Sequence, residues 1–161
     1  MPAVWQAFDM LFTKYREAEL RLLLRAYQNA FEMVATTIPG LHVAREVVAP
    51  GSTKRLDLLL TLTQAKIKIR LEFVAHERVG TPERAGSVKG HIERLKTDYN
   101  EIAANESWLI NFVYKDKAEQ HFKVADPDSK VNVLHVVVDP KSEKSAIEVQ
   151  MCLIEQPLES Y

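Results

Sequence analysis

Two acidic residues lie on the two strands of a predicted β-hairpin. Asp57 is near the start of the segment RLDLLLTLT, and Glu72 is late in the segment KIKIRLEFVAH. If the chain turns at Gln64 and Ala65, the hairpin register sets Asp57 opposite Glu72. Two carboxylates that meet across a hairpin repel each other unless a cation lies between them, and such oxygen ligands suit Mg²⁺ or Mn²⁺. The pair therefore predicts a divalent-metal site at which water is activated to attack a phosphodiester.

Basic side chains are predicted close to this pair. Lys68 and Arg70 alternate with apolar residues along the second hairpin strand, where they either contact phosphate groups or form the solvated face of the strand. His91 and Arg94 are three residues apart on the next predicted helix and therefore share a face. Arg94 could clamp a phosphate, bridge to a nearby acid or hold Glu72 in a structural network. These residues predict phosphate binding, with ordinary salt bridges as the alternative.

Two further histidines have a plain structural explanation beside a functional one. His76 follows the second hairpin strand, where it is either a general base or part of the surface. His135 lies inside the apolar segment VNVLHVVV, and a hydrogen bond within the core is expected for it. The acids Asp57 and Glu72 could likewise form cross-strand salt bridges.

The elements that must position these residues follow from apolar periodicity. Apolar residues between Trp5 and Thr36 recur at spacings of three and four, which predicts one long helix or two. Strands are predicted at 41–49, 55–63, 66–76, 108–114, 131–138 and 145–154, with a second helix at about 88–104. The strand at 131–138 is nearly all apolar and so buried on both faces, whereas the one at 145–154 alternates like an edge strand. This order predicts an α/β (α+β) fold with a mixed sheet of five or six strands and a long N-terminal helix on one side.

Length and composition limit the class of protein. The chain has 161 residues with a formal net charge of −1, and we expect one domain, with a helical segment at 1–37 and a sheet-plus-helix core at 41–154. The charge does not suggest a strong, non-specific polyanion binder, although local basic patches remain compatible with it. The only cysteine is Cys152, which excludes a disulfide framework and a cysteine-rich zinc site and favours a reducing compartment. No window is apolar for long enough to predict a membrane span.

The order of helix, three strands, helix and strand, with Asp57 on one hairpin strand and Glu72 on the next, resembles the PD-(D/E)XK restriction-endonuclease-like superfamily. The resemblance implies Mg²⁺- or Mn²⁺-dependent cleavage of DNA or RNA. It also implies a lysine two residues after Glu72, where this chain has Val74. Some members supply the basic group from the following helix, and Lys89 or His91 could serve in that way. Many members add an acid from the first helix, for which the candidates are Glu17, Glu19 and Glu32.

A narrower resemblance links the second half of the chain to the Crinkler-type nuclease-like domains of fungi and oomycetes. The segment GHIERLKTDY matches their helix at His91, Arg94 and Tyr99, with leucine in place of an aromatic residue. The strand WLINFVYKD has Asn111 where the pattern has histidine, and VNVLHVVVDP retains His135. The resemblance spans roughly residues 15–150 and implies a nuclease fold. Because such domains usually follow other modules, we expect the sequence to be part of a longer protein.

Three hypotheses follow from these observations. The first is a metal-dependent nuclease that acts on nucleic acid, with Asp57 and Glu72 as metal ligands. The second is a pseudonuclease that binds a protein partner, or a second copy of itself, within an effector or a larger assembly; Val74 favours it. The third is a small scaffold whose charges are structural. All three are expected to act inside cells without a membrane partner, in the cytoplasm or nucleus, or in a host nucleus for a secreted effector.

Overall fold

The computed structural model describes residues 20–128, 130–138 and 147–152. The helices are α1 (Leu20–Ala35), α2 (Val88–Thr97) and the short α3 (Ala118–His121), which follows a 3₁₀ turn at Lys115–Lys117. The strands are β1 (Leu41–Val48), β2 (Arg55–Leu62), β3 (Ile67–Ala75), β4 (Glu106–Tyr114), β5 (Asn132–Val138) and β6 (Ile147–Cys152). None of the described helices is long and apolar enough to cross a membrane.

The described strands form one six-stranded sheet in the order β1-β2-β3-β4-β5-β6. The first three strands are an antiparallel meander, β3, β4 and β5 are parallel, and β6 returns antiparallel to β5. A parallel step needs a crossover, and α2 supplies it between β3 and β4. The predicted mixed sheet is therefore confirmed, with β6 as an edge strand. The outer residues of the last predicted strand, 145–146 and 153–154, lie outside the described residues.

The register between β2 and β3 is the predicted one. Leu58 pairs with Leu71 and Leu60 with Ile69, and the connecting turn occupies residues 63–66. The clear alternation of apolar residues on β3 fixes this register, because a slip by one residue would turn every apolar side chain to the other face. The ladder ends at the pair of Leu58 and Leu71, so Asp57 and Glu72 lie one step beyond it.

The sheet is covered on both faces. Tyr27 and Ala30 of α1 pack on one face against a cluster that includes Phe73 and Phe112, with the rings of Tyr27 and Phe112 stacked at 4.0 Å. On the other face, apolar residues of α2 pack against Val74 and its neighbours on β4 and β5. The strand β5 contributes to both clusters, which confirms that it is buried on both faces. The predicted helix before residue 20 lies outside the described residues.

The helix α2 is shorter than the sequence predicts. It begins at the Ser87 cap, whose Oγ accepts a hydrogen bond from the Gly90 N–H at 3.0 Å, and it ends at Thr97 instead of near residue 104. The reason is a tertiary contact, since Arg70 on β3 donates to the carbonyl oxygen of Tyr99. That contact draws the backbone out of the helix, and the Tyr99 hydroxyl donates to the Arg55 carbonyl at 2.7 Å.

Truncation of Tyr27 tests the packing of α1 on the sheet. We expect Tyr27→Ala to lower the free energy of unfolding by about 3–5 kcal/mol, because it removes a ring that is only 1% exposed and leaves a cavity against Phe112. Urea unfolding followed by circular dichroism measures the change. Met33→Ala on the same helix is the control, since Met33 is 64% exposed. Equal losses in the two variants would show that Tyr27 does not pack on the sheet in this way.

Candidate functional site

Asp57 lies at a point where β2 pairs with neither of its neighbouring strands. On one side the ladder with β3 stops at Leu58, and on the other side the pairing with β1 skips Glu46. Glu46 has a φ of 47°, a left-handed conformation that is uncommon for a residue other than glycine and interrupts β1 at this point. The Asp57 carboxylate uses the space that results, and its Oδ2 accepts a hydrogen bond from the Phe73 N–H at 2.7 Å.

The pKa of the Asp57 carboxyl is raised by its surroundings. Burial, the largest cause, and the nearby Glu72 carboxylate together raise it to about 7. The Phe73 N–H, the Arg94 guanidinium and a hydrogen bond from Gln28 oppose this effect only in part. At neutral pH the Asp57 carboxyl is therefore partly protonated, and a nearby cation would favour its charged form.

Glu72 is paired with the helix that covers it. Its side chain is 3% exposed, and Oε1 contacts Arg94 Nη2 and, at 3.1 Å, His91 Nδ1. The three-residue spacing of His91 and Arg94 brings both side chains to the same face of α2. Arg94 also contacts His91 Nδ1. Nδ1 accepts from the Arg94 guanidinium in the tautomer with its proton on Nε2, and it donates to the Glu72 carboxylate only when Nδ1 itself is protonated, so only one of these two hydrogen bonds forms at a time.

Two buried polar atoms in this cluster lack a partner among the described residues. They are Oε2 of Glu72, which is an acceptor, and Nε of Arg94, which is a donor. Buried polar groups are normally hydrogen-bonded, so each atom calls for an explanation. A carboxylate oxygen of this kind can take a cation, and a guanidinium N–H can take an anion. The cluster therefore retains one acceptor and one donor that could bind groups of opposite charge.

Val74 lies on the same face of β3 as Glu72, as predicted, but it belongs to the core. It is 1% exposed and packs in the cluster that contains Val88, Ile92 and Leu95 of α2. This position is filled by apolar contacts with the helix. A basic group for the site has to come from elsewhere in the chain.

Asp57 also lines a polar cavity that the sequence did not reveal. The cavity has a volume of about 500 Å³ and lies between α1 and the strands β1 and β2. Its lining residues are Arg25, Gln28, Asn29, Arg45, Glu46, Asp57 and Leu58. The signal in the sequence was the polar side of α1, on which residues 25, 28, 29 and 32 recur at helical spacing. That pattern is typical of any solvated helix, so it could not single out a site.

The other predicted catalytic residues, Lys89 and His76, have neighbours other than Glu72. Lys89 lines a different groove, of about 380 Å³, on the outer side of α2 beside residues 123–127. His76 follows β3 with a left-handed φ of 58°, and its ring stacks on Tyr114 at 3.7 Å. Burial, aided by the charge of Lys117, lowers the pKa of His76 to about 4. The structure therefore brings His91, but not Lys89, to Glu72.

The basic residues of β3 and the acids of the first helix have other neighbours. Arg70 donates to Ser107 Oγ at 3.0 Å as well as to Tyr99, and Lys68 is exposed. Glu32 pairs with Arg45, with 2.8 Å between Oε2 and Nε. Glu17 and Glu19 lie outside the described residues. Of the predicted phosphate-binding residues, Arg94 alone is in contact with Glu72 in this part of the chain.

His135 forms the expected hydrogen bonds within the core. It is fully buried, and its Nδ1 accepts from Asn111 Nδ2 at 2.9 Å while Nε2 lies 3.4 Å from the Val124 carbonyl oxygen. Asn111 also donates to His121 Nδ1 at 3.0 Å. Burial lowers the pKa of His135 and of His121, so both rings favour the neutral form. These residues tie α3 to the sheet.

The ligand set of the site is small. Within residues 20–128, 130–138 and 147–152, no three histidine, cysteine, aspartate or glutamate side chains are grouped so that they could hold a metal ion together. Asp57 and Glu72 alone would have to be completed by water, backbone oxygen or a ligand. Mg²⁺ sites are often built in this way, from one or two carboxylates and the phosphate groups of a substrate.

Comparisons with known proteins add little to this geometry. No protein family model matches the chain, and no curated protein matches it. One similar solved structure is that of Pyrococcus furiosus SfsA in complex with Ca²⁺, with 18% sequence identity and a TM-score of 0.42. The match covers 82% of this chain and 62% of the SfsA chain. Similarity at this level carries no argument about function, which must rest on the residues themselves.

Replacement of Asp57 by asparagine tests the raised pKa of the Asp57 carboxyl. The folded-state pKa of Asp57 is raised, so its contribution to stability is complete below the unfolded pKa near 4 and is lost as pH rises through about 7. We expect Asp57→Asn to be roughly 1–3 kcal/mol more stable than wild type at pH 8 and about equal at pH 4, a scale of about 1.4 kcal/mol per pKa unit reduced for partial exposure. Urea unfolding at both pH values measures this.

The exposed Glu101 provides the matched control for that measurement. We expect Glu101→Gln to leave the free energy of unfolding nearly unchanged at both pH values, because surface substitutions usually change it by about 0.5 kcal/mol or less. If Asp57→Asn were less stable than wild type at pH 8, the charged Asp57 carboxylate would not destabilise the folded state, and the prediction would be wrong.

A double-mutant cycle tests the pairing of Glu72 with Arg94. We expect Arg94→Gln to cost about 3–5 kcal/mol, because it leaves the Glu72 carboxylate buried without its partner. In a Glu72→Gln background the same change should cost much less, since no buried charge remains. Thermal and urea unfolding of the four proteins measure the coupling energy. Additive effects would show that the two side chains do not interact.

Proposed function

We propose that this chain is a restriction-endonuclease-like domain that cleaves phosphodiester bonds of DNA or RNA with Mg²⁺ or Mn²⁺. One observation carries the proposal: Asp57 and Glu72 lie one step beyond the last pair of the β2–β3 ladder, where burial and the Glu72 charge raise the pKa of Asp57 to about 7. Perturbed pKa values cluster at functional sites, which makes this carboxyl pair a candidate for one.

The residues present fit a divalent cation. Asp57 and Glu72 offer the oxygen ligands that Mg²⁺ prefers, and Oε2 of Glu72 has no hydrogen-bond partner among the described residues. A bound metal at such a site supplies Lewis-acid stabilisation and a more acidic water. The chain itself must supply the remaining groups, which orient the phosphate and accept a proton.

His91 and Arg94 suit these remaining roles. His91 lies against Glu72 at 3.1 Å, so we assign it the proton-accepting role that a lysine at position 74 would have had. Arg94 carries an unpaired buried N–H in the described part of the chain and can hold an anionic phosphate oxygen. Lys89 and His76 are weaker candidates, because Lys89 lines the outer groove and His76 stacks on Tyr114.

A cleavage assay tests the proposal. Labelled single- and double-stranded DNA and RNA are incubated with Mg²⁺, with Mn²⁺ or with EDTA. We expect metal-dependent cleavage that Asp57→Asn or Glu72→Gln abolishes, and that His91→Gln slows by about 10²-fold or more, the scale of general-base catalysis. Lys89→Gln is the control on the same helix and should cleave like wild type. If wild type neither cleaves any substrate nor binds divalent metal by calorimetry, the proposal is wrong.

A second candidate is a pseudonuclease that serves as a protein-interaction module. The specific observation in its favour is that Arg94 already supplies positive charge to Glu72, while Val74 is part of the core. In this case the cluster holds α2 on the sheet, and the carboxyl pair needs no metal. Calorimetry distinguishes the two candidates, because a pseudonuclease of this kind would fold normally and bind neither Mg²⁺ nor Mn²⁺.

A further inference from the structure

The proposed chemistry leaves unexplained the polar cavity between α1 and the strands β1 and β2, which we call the α1–β1 cavity. Arg25, Gln28 and Asn29 form its helical wall, Arg45 and Glu46 form its strand wall, and Asp57 connects it to the candidate site. Its volume of about 500 Å³ lies in the range of sites that enclose one small molecule, which is about 300–1,000 Å³.

The walls of this cavity are organised by specific contacts. Arg45 donates from Nη2 to Asn29 Oδ1 and from Nε to Glu32 Oε2, so its guanidinium is held against α1. A guanidinium has five N–H donors, and these two bonds leave further donors for a ligand. Glu46 is paired with Arg55 at 3.0 Å, which offsets its charge. A fixed arginine therefore lies on the strand wall.

The α1 wall of the cavity carries further polar side chains that could bind a ligand together with Arg45. Arg25 is exposed on α1, and the amides of Gln28 and Asn29 line the cavity beside it. Gln28 donates to Asp57 and the Asn29 oxygen accepts from Arg45, so the Gln28 oxygen and the Asn29 nitrogen are the ends that a base could use. Guanidinium groups recognise phosphate oxygens, and amides can both donate to and accept from the edges of bases. The cavity thus offers charged donors for phosphate groups and neutral amides for a base. This combination suits a nucleotide better than a simple anion.

The volume of the cavity limits what it can enclose. About 500 Å³ is the size of a site for one small molecule, so the cavity can enclose a single nucleotide but not a length of duplex. Enzymes that act on a nucleotide within a pocket use single-stranded substrate or turn the nucleotide out of the helix. Asp57 is itself a lining residue, so a nucleotide in the cavity would lie against one of the two carboxyl groups of the candidate site.

We propose that the α1–β1 cavity binds one unpaired nucleotide of a DNA or RNA strand, with Arg25 and Arg45 on its phosphate groups and the amides of Gln28 and Asn29 on its base. The substrate of this chain is then a single strand, or a strand end that has separated from its partner. The reaction that follows rests on the proposed nuclease function, but the binding event does not.

Fluorescence anisotropy with labelled oligonucleotides in EDTA tests the binding apart from cleavage. We expect the single strand to bind at least about tenfold more tightly than the matching duplex, and the use of DNA and RNA strands of one sequence distinguishes the two sources. Arg25→Gln and Arg45→Gln should each weaken binding and lower the slope of log K against log salt by about 0.7, the value for one phosphate contact on a single strand.

Two further variants make the result interpretable. Lys66→Gln removes the same charge at the β2–β3 turn, at the far end of the hairpin, and should leave affinity and slope unchanged. Glu32→Gln releases one contact of Arg45 without removing the arginine, so it should retain binding even if Arg45→Gln loses stability. Equal affinity for duplex and single strand, or a loss in Lys66→Gln as large as that in Arg25→Gln, would overturn the proposal.

The outcome separates this inference from the proposed function. Single-strand binding that depends on Arg25 and Arg45, without cleavage in Mg²⁺ or Mn²⁺, would retain the cavity and reject the nuclease. Metal-dependent cleavage that prefers a duplex and is unchanged in Arg25→Gln and Arg45→Gln would retain the nuclease and reject the cavity as its nucleotide site.

Discussion

The buried carboxylate of Glu72 constrains the arrangement of the elements around it. A charge removed from water is strongly unfavourable unless a partner compensates for it, and here Arg94 of α2 does so. The helix must therefore cross the sheet with one particular face inward, the face that carries His91 and Arg94. Gly90 allows the preceding loop to follow the helix closely, since a Cβ at that position would lie 2.0 Å from the Arg84 carbonyl oxygen.

The local parts of this arrangement could be predicted from the sequence. The alternation of β3 and the short turn before it determine the hairpin register, which placed Asp57 and Glu72 in facing positions one step past the last paired residues. The early end of α2 could not be predicted in the same way. It depends on Arg70, which contacts the Tyr99 carbonyl from a different strand, and periodicity within one segment does not report such a contact.

The candidate site, too, has features that the sequence predicts and features that it does not. The carboxyl pair and the shared face of His91 and Arg94 are consequences of spacing within a hairpin and a helix, so the sequence indicates them. The α1–β1 cavity arises where Arg45 of β1 meets Asn29 and Glu32 of α1, and where Glu46 adopts a left-handed conformation. Neither the meeting of distant segments nor the backbone distortion has a signature in single-sequence periodicity.

The sheet topology has a consequence for how the site is assembled. The strands β1, β2 and β3 are joined by short turns, so their contacts are local and can form early, whereas α2 and β4 reach their places only through a crossover. We therefore expect Asp57 and Glu72 to come together while both are still hydrated, and Arg94 to dock later and displace water from Glu72. The rate of that step should depend on ionic strength, since it brings opposite charges together from a distance.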